Sequence, residues 1–359
     1  LWYGPTPMQG GRAGWKNDEE AFMFEWDDGQ PGEDCLRVNV WTPGINDHRK
    51  RAVMVWLHGG GFANGSGQEL KAYEGEALAR RGDVVVVSLN HRLNVLGYLD
   101  LSAYGEKYAK SANAGMLDIV LALEWVRDNI ANFGGDPGTA MIFGQSGGGA
   151  KVSTLMAMPA AKGLFHRAAV QSGSGLRVAT KAMAQQVSAQ LLADLSLSAS
   201  SVDQLQQIPY EKLLAAAEAA MRKTQPTTPD RGIRKAGTVD RAGWASVVDG
   251  VSLLAHPFDP SAPAQTASVP MVIGCCLNEQ THGINHPEYE AMPEAEVRER
   301  VAAVYGSKAN AIVDAYRRVH PTAKWFDVAS FISAAQHRSN AVWQAEKKAA
   351  LKAAPAYLY

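Results

Sequence analysis

Between Val38 and Gln171 the chain alternates short apolar runs, rich in β-branched residues, with segments of helical periodicity. Each apolar run is short and continuous, which is typical of strands buried on both faces of a sheet. Strands that alternate with helices pair in parallel, because the helix carries the chain back across the sheet. The sequence therefore predicts an α/β fold with a central, mostly parallel sheet flanked by helices. The predicted strands are Val38 to Trp41, Val53 to Leu57, Val84 to Leu89, Ala140 to Phe143 and Ala168 to Val170.

One helix is predicted before the fourth strand and another after it. Apolar residues recur at helical spacing from Met116 to Ile130, and two glycines then stop the helix. A second helix is predicted from about Gly148 to Met158, where Pro159 ends it.

The remainder of the chain predicts an interruption of the sheet. Helical periodicity runs from 181 to about 220, and an exposed loop rich in Thr, Pro and charge is predicted over 224–237. Strand character returns at Val269 to Cys276 and at Ala356 to Tyr359. We therefore expect a helical excursion at about 177–265 that lies over the pocket. No linker divides the chain, so residues 1–359 are predicted to form a single domain.

Charge and composition exclude several classes of partner. The 36 Asp and Glu nearly balance the 35 Lys and Arg, so no overall field attracts nucleic acid or an anionic membrane surface. No apolar run reaches the roughly 20 residues of a membrane-spanning helix, and no signal peptide is visible at the start of the chain. We predict no nucleic acid partner and no membrane insertion, and we leave the oligomeric state open.

The run Gly144-Gln145-Ser146-Gly147-Gly148 lies between a predicted strand and a predicted helix, which is the context of a nucleophile elbow. The glycines allow the sharp turn that exposes the Ser146 hydroxyl at the carboxyl edge of the sheet. A tight glycine turn without catalytic function is the alternative. A phosphate loop is excluded, because that motif needs Lys directly after its second Gly and then Ser or Thr, positions that this chain fills otherwise.

A second glycine cluster, His58-Gly59-Gly60-Gly61-Phe62, follows the strand that ends at Leu57. Ester hydrolysis places negative charge on the carbonyl oxygen, and fixed N–H donors stabilise it by about 3 kcal/mol each. We predict that Gly60, Gly61 and Gly147 form an oxyanion hole. A flexible surface loop also explains the glycines, but it does not explain their position after a buried strand.

These motifs resemble the type-B carboxylesterase and cholinesterase family. The resemblance is close over roughly Gly32 to Gly175 and looser beyond. Further segments follow in the order that the family shows: Glu33-Asp34-Cys35-Leu36, Asn39-Val40-Trp41-Thr42-Pro43, Asn90-His91-Arg92-Leu93, Asn113-Ala114-Gly115 and Phe133-Gly134-Gly135-Asp136-Pro137.

The resemblance implies an α/β-hydrolase fold and a carboxylic ester hydrolase that forms an acyl-enzyme on small-molecule esters without a cofactor. Gly274-Cys275-Cys276-Leu277-Asn278-Glu279 is similar to the segment that carries the acidic triad member, so Glu279 is the candidate. Phe62 and Gln145 are candidates for the substrate pocket. A metal site at Glu279, His282 and His286 is discounted, because glycine and proline make this segment a loop rather than a helix.

The chain departs from the family at three positions. Gln145 replaces the usual Glu beside the nucleophile, which weakens the expectation of cationic substrates. Pro7 stands where a cysteine is expected, so we predict that Cys35 is a free thiol. The family's catalytic His follows a strand that resembles Ala356 to Tyr359, so that residue is expected beyond Tyr359 and its segment is missing from this sequence.

A Ser hydroxyl is a weak nucleophile unless a base takes its proton. Of the histidines, His58, His91 and His166 fall in structural segments, while His282, His286, His320 and His337 are weaker candidates for the base. Two other readings therefore stay open: a non-catalytic binding protein of the adhesion type, and a fragment that folds but does not turn over. The lack of disulfides and the uninterrupted glycine loop favour a bacterial protein that is cytoplasmic, periplasmic or secreted.

Overall fold

A computed structural model describes residues 3–10, 29–225, 243–279 and 287–359. Its strands are β1 Val38–Trp41, β2 Val53–Leu57, β3 Val85–Leu89, β4 Met141–Gln145, β5 Arg167–Gln171, β6 Ala179–Thr180, β7 Val247–Val248, β8 Met271–Gly274 and β9 Ala356–Leu358. Seven of them form a central sheet with the order β1-β3-β2-β4-β5-β8-β9, in which β1 is antiparallel to β3 and every other neighbouring pair is parallel. A separate pair, β6 and β7, is also parallel.

Helices cover the sheet and build the rest of the described structure. They are α1 Glu76–Gly82, α2 Asn94–Tyr98, α3 Ala114–Asn129, α4 Gly147–Ala157, α5 Lys181–Asp194, α6 Tyr210–Thr224, α7 Glu294–Tyr305, α8 Ala309–Val319 and α9 Trp325–Ala349. Short 3-10 turns connect them, the longest at Ala199–Gln207. Among the helices of the described ranges, none combines enough length with enough apolar character to cross a bilayer.

The main core lies on both faces of the sheet, which explains the continuous apolar strands. All five residues of β3 are buried, and β2 alternates buried with half-buried positions. Met116, Ile119 and Leu123 of α3 are fully buried in the same core. The predicted α/β fold with a mostly parallel, helix-flanked sheet is confirmed.

The excursion after β5 is only partly helical. Helices α5 and α6 pack together in a second apolar cluster that includes Leu191, Ala217 and Leu99. The excursion begins at β6, and the described chain returns through β7 into an irregular stretch that leads to β8. Two-residue strands are too short to produce a periodic pattern, so the sequence could not predict this pair.

Three further helices lie beside the sheet edge that β8 and β9 form. Helices α7, α8 and α9 share a third apolar cluster, which includes Val301, Val313 and Ile332. The chain then leaves α9 and forms β9 next to β8, where Met271 pairs with Ala356. Strand β9 therefore brings the end of the chain to the same edge as the carboxyl end of β8.

Candidate active site

Ser146 occupies the turn between the end of β4 and the first residue of α4. Its φ of 55° and ψ of −121° lie outside the regions that a serine normally adopts. Backbone hydrogen bonds anchor the turn: the Ser146 N–H donates to the carbonyl of Gln171 at 2.9 Å, and the Ser146 carbonyl accepts the N–H of Ala150 at 3.1 Å. The side of the turn that carries Ser146 is exposed. This is the geometry of a nucleophile elbow.

The elbow depends on close backbone packing at its glycines. A Cβ atom on Gly148 would lie 2.0 Å from the carbonyl oxygen of Leu57, and one on Gly144 would lie 2.6 Å from the same atom. On the other side, a Cβ atom on Gly173 would lie 2.1 Å from the carbonyl oxygen of Ser146. The glycines therefore let the first turn of α4 approach β2 more closely than side chains permit.

The glycine loop that follows β2 lies against the elbow. A Cβ atom on Gly147 would stand 2.5 Å from the nitrogen of Gly61, and one on Gly59 would stand 3.7 Å from the Cβ of Ser146. Gly60 and Gly61 have φ values of 72° and 65°, a backbone that favours glycine. The structure thus brings together the three residues predicted for the oxyanion hole. Their role as donors remains a prediction.

Glu279 lies beyond the carboxyl end of β8, with its side chain half-buried. Its Oε1 atom accepts the N–H of Cys276 at 3.0 Å, and its carbonyl accepts the hydroxyl of Ser333 at 3.4 Å. The pKa of Cys275 is raised by burial and, secondarily, by the Glu279 carboxylate. Strands β4, β5 and β8 are parallel neighbours in the sheet. Ser146 and Glu279 therefore follow strands whose carboxyl ends lie at the same sheet edge.

Tyr359 also lies at this edge. Its ring covers the backbone of Gly274, so that a Cβ atom there would approach the ring to 2.5 Å. Burial raises the pKa of Tyr359, and the charge of Glu279 contributes in the same direction. The end of the chain is therefore a neighbour of the candidate acid.

Within the described residues, the Ser146 hydroxyl makes no hydrogen bond to a histidine ring. His58 and His91 are fully buried and stacked at 4.8 Å, and burial lowers the pKa of each well below its usual value. His320 packs on Phe331 at 4.4 Å. His166 and His337 each have a buried Nδ1, while His282 and His286 lie outside the described residues.

The two residues predicted for the substrate pocket lie in different surroundings. Gln145 is exposed beside Ser146, and its Oε1 lies 3.5 Å from where a Cβ atom of Gly59 would stand. Phe62 is buried in the main core, edge-on to Tyr98 at 5.1 Å. Gln145 therefore stays a candidate for substrate contact, whereas the contacts of Phe62 are those of a core residue.

The cysteines agree with the prediction. Cys35 is a buried free thiol whose pKa burial raises to about 11, and Cys275 and Cys276 are free as well.

Lys151 is the residue near the site that the sequence reasoning missed. It lies in α4, five positions after Ser146, and its side chain is fully buried. Burial lowers its pKa to about 7, and the charge of Glu69 opposes that change. The sequence contained a signal for the burial of Lys151. Its spacing places Lys151 on the same i, i+4 face of α4 as Gly147 and Leu155, both of which are buried.

The lowered pKa of Lys151 predicts a specific pH dependence of stability. The folded chain loses this proton near pH 7 and the unfolded chain near 10.5, so the unfolded state binds more protons between these values. Stability relative to a Lys151→Met variant is expected to rise with pH across this window by up to about 1.4 kcal/mol per unit. The gain is complete above 10.5 and is lost as pH falls to 7. Urea unfolding of both proteins from pH 6 to 9.5 measures it, and a constant difference over that range would contradict it.

The strand order, the elbow after β4 and the glycine loop after β2 define an α/β-hydrolase. The chain belongs to the carboxylesterase family, whose family model matches residues 3–349.

Named relatives support this family membership. The chain is 39% identical to the para-nitrobenzyl esterase of Bacillus subtilis over 247 residues, which are 69% of this chain and 47% of that protein. It is 38% identical to liver carboxylesterase 1 of Oryctolagus cuniculus over 257 residues, 70% of this chain and 43% of that protein. A solved carboxylesterase of Geobacillus stearothermophilus superposes with a TM-score of 0.78 at 31% identity, covering 100% of this chain and 68% of the other. The chain thus spans less than half the length of these two curated relatives.

Proposed function

We propose that the protein is a carboxylic ester hydrolase that acts through an acyl-enzyme on Ser146. The observation that carries this proposal is the exposed, left-handed Ser146 elbow, packed against the backbone of Gly61 through Gly147. A turn with this backbone and this many close glycine contacts is costly to form, and a binding scaffold gains nothing from it.

In the proposed reaction, Ser146 Oγ attacks the ester carbonyl while a His base takes its proton. The N–H groups of Gly60, Gly61 and Gly147 stabilise the oxyanion. The base returns the proton to the leaving alcohol, and water then hydrolyses the acyl-enzyme by the same steps. No cofactor takes part in this proposal.

We place the catalytic His in the segment that follows Tyr359, with Glu279 orienting it. Support for this placement comes from the sheet edge, where the Tyr359 ring lies on Gly274 and the charge of Glu279 helps to raise the pKa of Tyr359. A half-buried carboxylate at this point would hold the imidazole in one tautomer and stabilise the imidazolium.

The substrate is proposed to be a small, uncharged ester. Gln145, rather than an acidic residue, lies exposed next to Ser146, so the site has no carboxylate at that position to attract a cation. One relative is named for para-nitrobenzyl esters, and such an ester is a suitable second substrate beside a short-chain nitrophenyl ester.

The test combines turnover with covalent labelling of the purified chain by a fluorophosphonate. Hydrolysis together with labelling at Ser146 supports the proposal. Labelling without turnover identifies a competent nucleophile in a chain that lacks its complete triad, which is the fragment reading. If the chain shows no hydrolysis and no labelling, the proposal is contradicted and the non-catalytic binding protein is favoured.

In protein that carries the proposed His after Tyr359, Glu279→Gln is expected to lower the rate of Ser146 labelling at least about tenfold, since an amide cannot stabilise the charged base. The amide oxygen can still accept the N–H of Cys276, so the loop should keep its shape. Glu106→Gln, in an exposed 3-10 turn, is the matched control and should label at the rate of the unchanged protein. Equal rates for both variants would remove Glu279 from the proposed site.

A further inference from the structure

We infer that Lys151 is a positioning residue of the candidate oxyanion hole, in which Nζ holds two carbonyls of the glycine loop and thereby fixes the direction of the Gly60 N–H. This inference rests on the proposed function, because the hole matters only if Ser146 attacks an ester. It assigns to a buried lysine a role that the elbow and the glycine loop do not themselves supply.

Both hydrogen bonds described for Lys151 go to the glycine loop. Nζ donates to the carbonyl of His58 at 2.9 Å and to the carbonyl of Gly59 at 3.4 Å. The same Nζ lies 5.6 Å from the centroid of the Phe62 ring. One side chain on α4 thus contacts the loop at its beginning, while the backbone of the same helix supplies Gly147 beside Gly61.

Planarity of the peptide bond transmits this contact to the candidate donors. In a trans peptide the C=O of one residue and the N–H of the next point in opposite directions within one plane. A donor that holds the Gly59 carbonyl in the interior therefore turns the Gly60 N–H outward. Gly60 is exposed, as is Ser146, and a Cβ atom on the preceding Gly59 would lie 3.7 Å from the Cβ of Ser146, so this peptide lies beside the nucleophile.

A second group fixes the same peptide plane. The Nδ1 atom of His58 lies 3.1 Å from the carbonyl oxygen of Gly59, and a Cβ atom on Gly65 would collide with that ring at 2.4 Å. The His58 ring is therefore enclosed, and it shares the Gly59 carbonyl with Lys151. Glycine alone would leave this peptide free to rotate, and an oxyanion hole stabilises charge only when its donors are already oriented.

The burial of Lys151 is expensive, which favours a specific role over simple packing. Removing an amine from water costs several kcal/mol unless its N–H groups find acceptors. A Met side chain of similar length would fill the space without that cost. What Lys151 adds is a set of N–H donors, present in both protonation states, at the end of a long stem that reaches the loop from α4.

The chain provides a matched control. Lys348 in α9 is also fully buried, and it donates to two loop carbonyls, of Thr266 at 2.9 Å and of Ala267 at 2.7 Å. Lys348→Met removes the same kind of contact away from the glycine loop. Comparison with Lys151→Met therefore separates a loss of general stability from a loss of donor orientation.

Two measurements test the inference on the full chain. The first is the labelling of Ser146 by a fluorophosphonate, resolved into affinity and maximal rate. Lys151→Met is expected to lower the maximal rate about 30-fold with little change in affinity, and Lys348→Met less than threefold. Lys151→Gln keeps an N–H donor on a side chain that is one bond shorter. Its labelling rate should therefore fall between those of the unchanged protein and Lys151→Met. The second is hydrogen exchange of the peptide that spans 58–65, which should accelerate at least tenfold in Lys151→Met alone.

Equal labelling and equal exchange in Lys151→Met and Lys348→Met would overturn the inference. If the unchanged protein is not labelled at all, the proposed function fails, and exchange alone decides whether Lys151 anchors the loop. If Lys151→Met does not fold, Lys151→Gln takes its place in both measurements. Exchange at 58–65 that stays unchanged in Lys151→Gln would then overturn the inference.

Discussion

Ser146→Ala is expected to abolish fluorophosphonate labelling and, in protein that carries the proposed His after Tyr359, to lower ester hydrolysis by at least about four orders of magnitude. The variant removes the only atom of the elbow that can form the acyl-enzyme, while the oxyanion donors stay in place. Alanine has no more difficulty than serine with a φ of 55°, so the elbow should keep its backbone. Labelling followed by mass spectrometry of the intact chain measures the effect directly.

Ser196→Ala is the control for this experiment. Ser196 also has a φ of 55° and is exposed, but it follows α5 and lies in the excursion rather than at the elbow. It should label at the rate of the unchanged protein. Labelling that persists in Ser146→Ala would show that the reagent modifies another nucleophile, and Ser146 would then lose its assigned role.

The strands were predictable because burial on both faces leaves a plain mark in the sequence. Strands β1 and β2 begin and end where the apolar runs do, whereas β4 begins one residue after its prediction, at Met141, and continues through Gly144 to Gln145. Glycine is a poor strand residue by propensity, but here it is required by the approach of α4. Tertiary packing therefore extended the strand beyond its local preference.

The position of the candidate site was also predictable, since parallel strands present their carboxyl ends at one edge. That rule is enough to place Gly60, Gly61 and Ser146 together. It says nothing about which side chain holds the loop. Lys151 escaped prediction because a lysine is ordinarily exposed, and its burial follows from carbonyls that are distant in the sequence.

Gly148→Ala is expected to lower the free energy of unfolding by about 3 kcal/mol or more, with a corresponding loss of soluble protein. The new Cβ atom would stand 2.0 Å from the carbonyl oxygen of Leu57, and neither atom can move away unless its own backbone moves. Relief requires α4 to move off β2, which would open the fully buried layer that holds Leu57 and Val152. The same movement would carry Gly147 away from Gly61. The variant is therefore expected to lose both stability and the arrangement of the candidate site.

Gly82→Ala separates this effect from the change in unfolded-chain entropy that accompanies any Gly→Ala substitution. Gly82 ends α1, and a Cβ atom there would meet only the Val84 side chain at 3.5 Å, an ordinary van der Waals contact. Its substitution should leave the free energy of unfolding unchanged or raise it by up to about 1 kcal/mol. Urea unfolding of the three proteins gives the comparison. A Gly148→Ala variant as stable as Gly82→Ala would mean that α4 can shift without cost, and the close approach of helix and strand would not be what holds Ser146 in its left-handed turn.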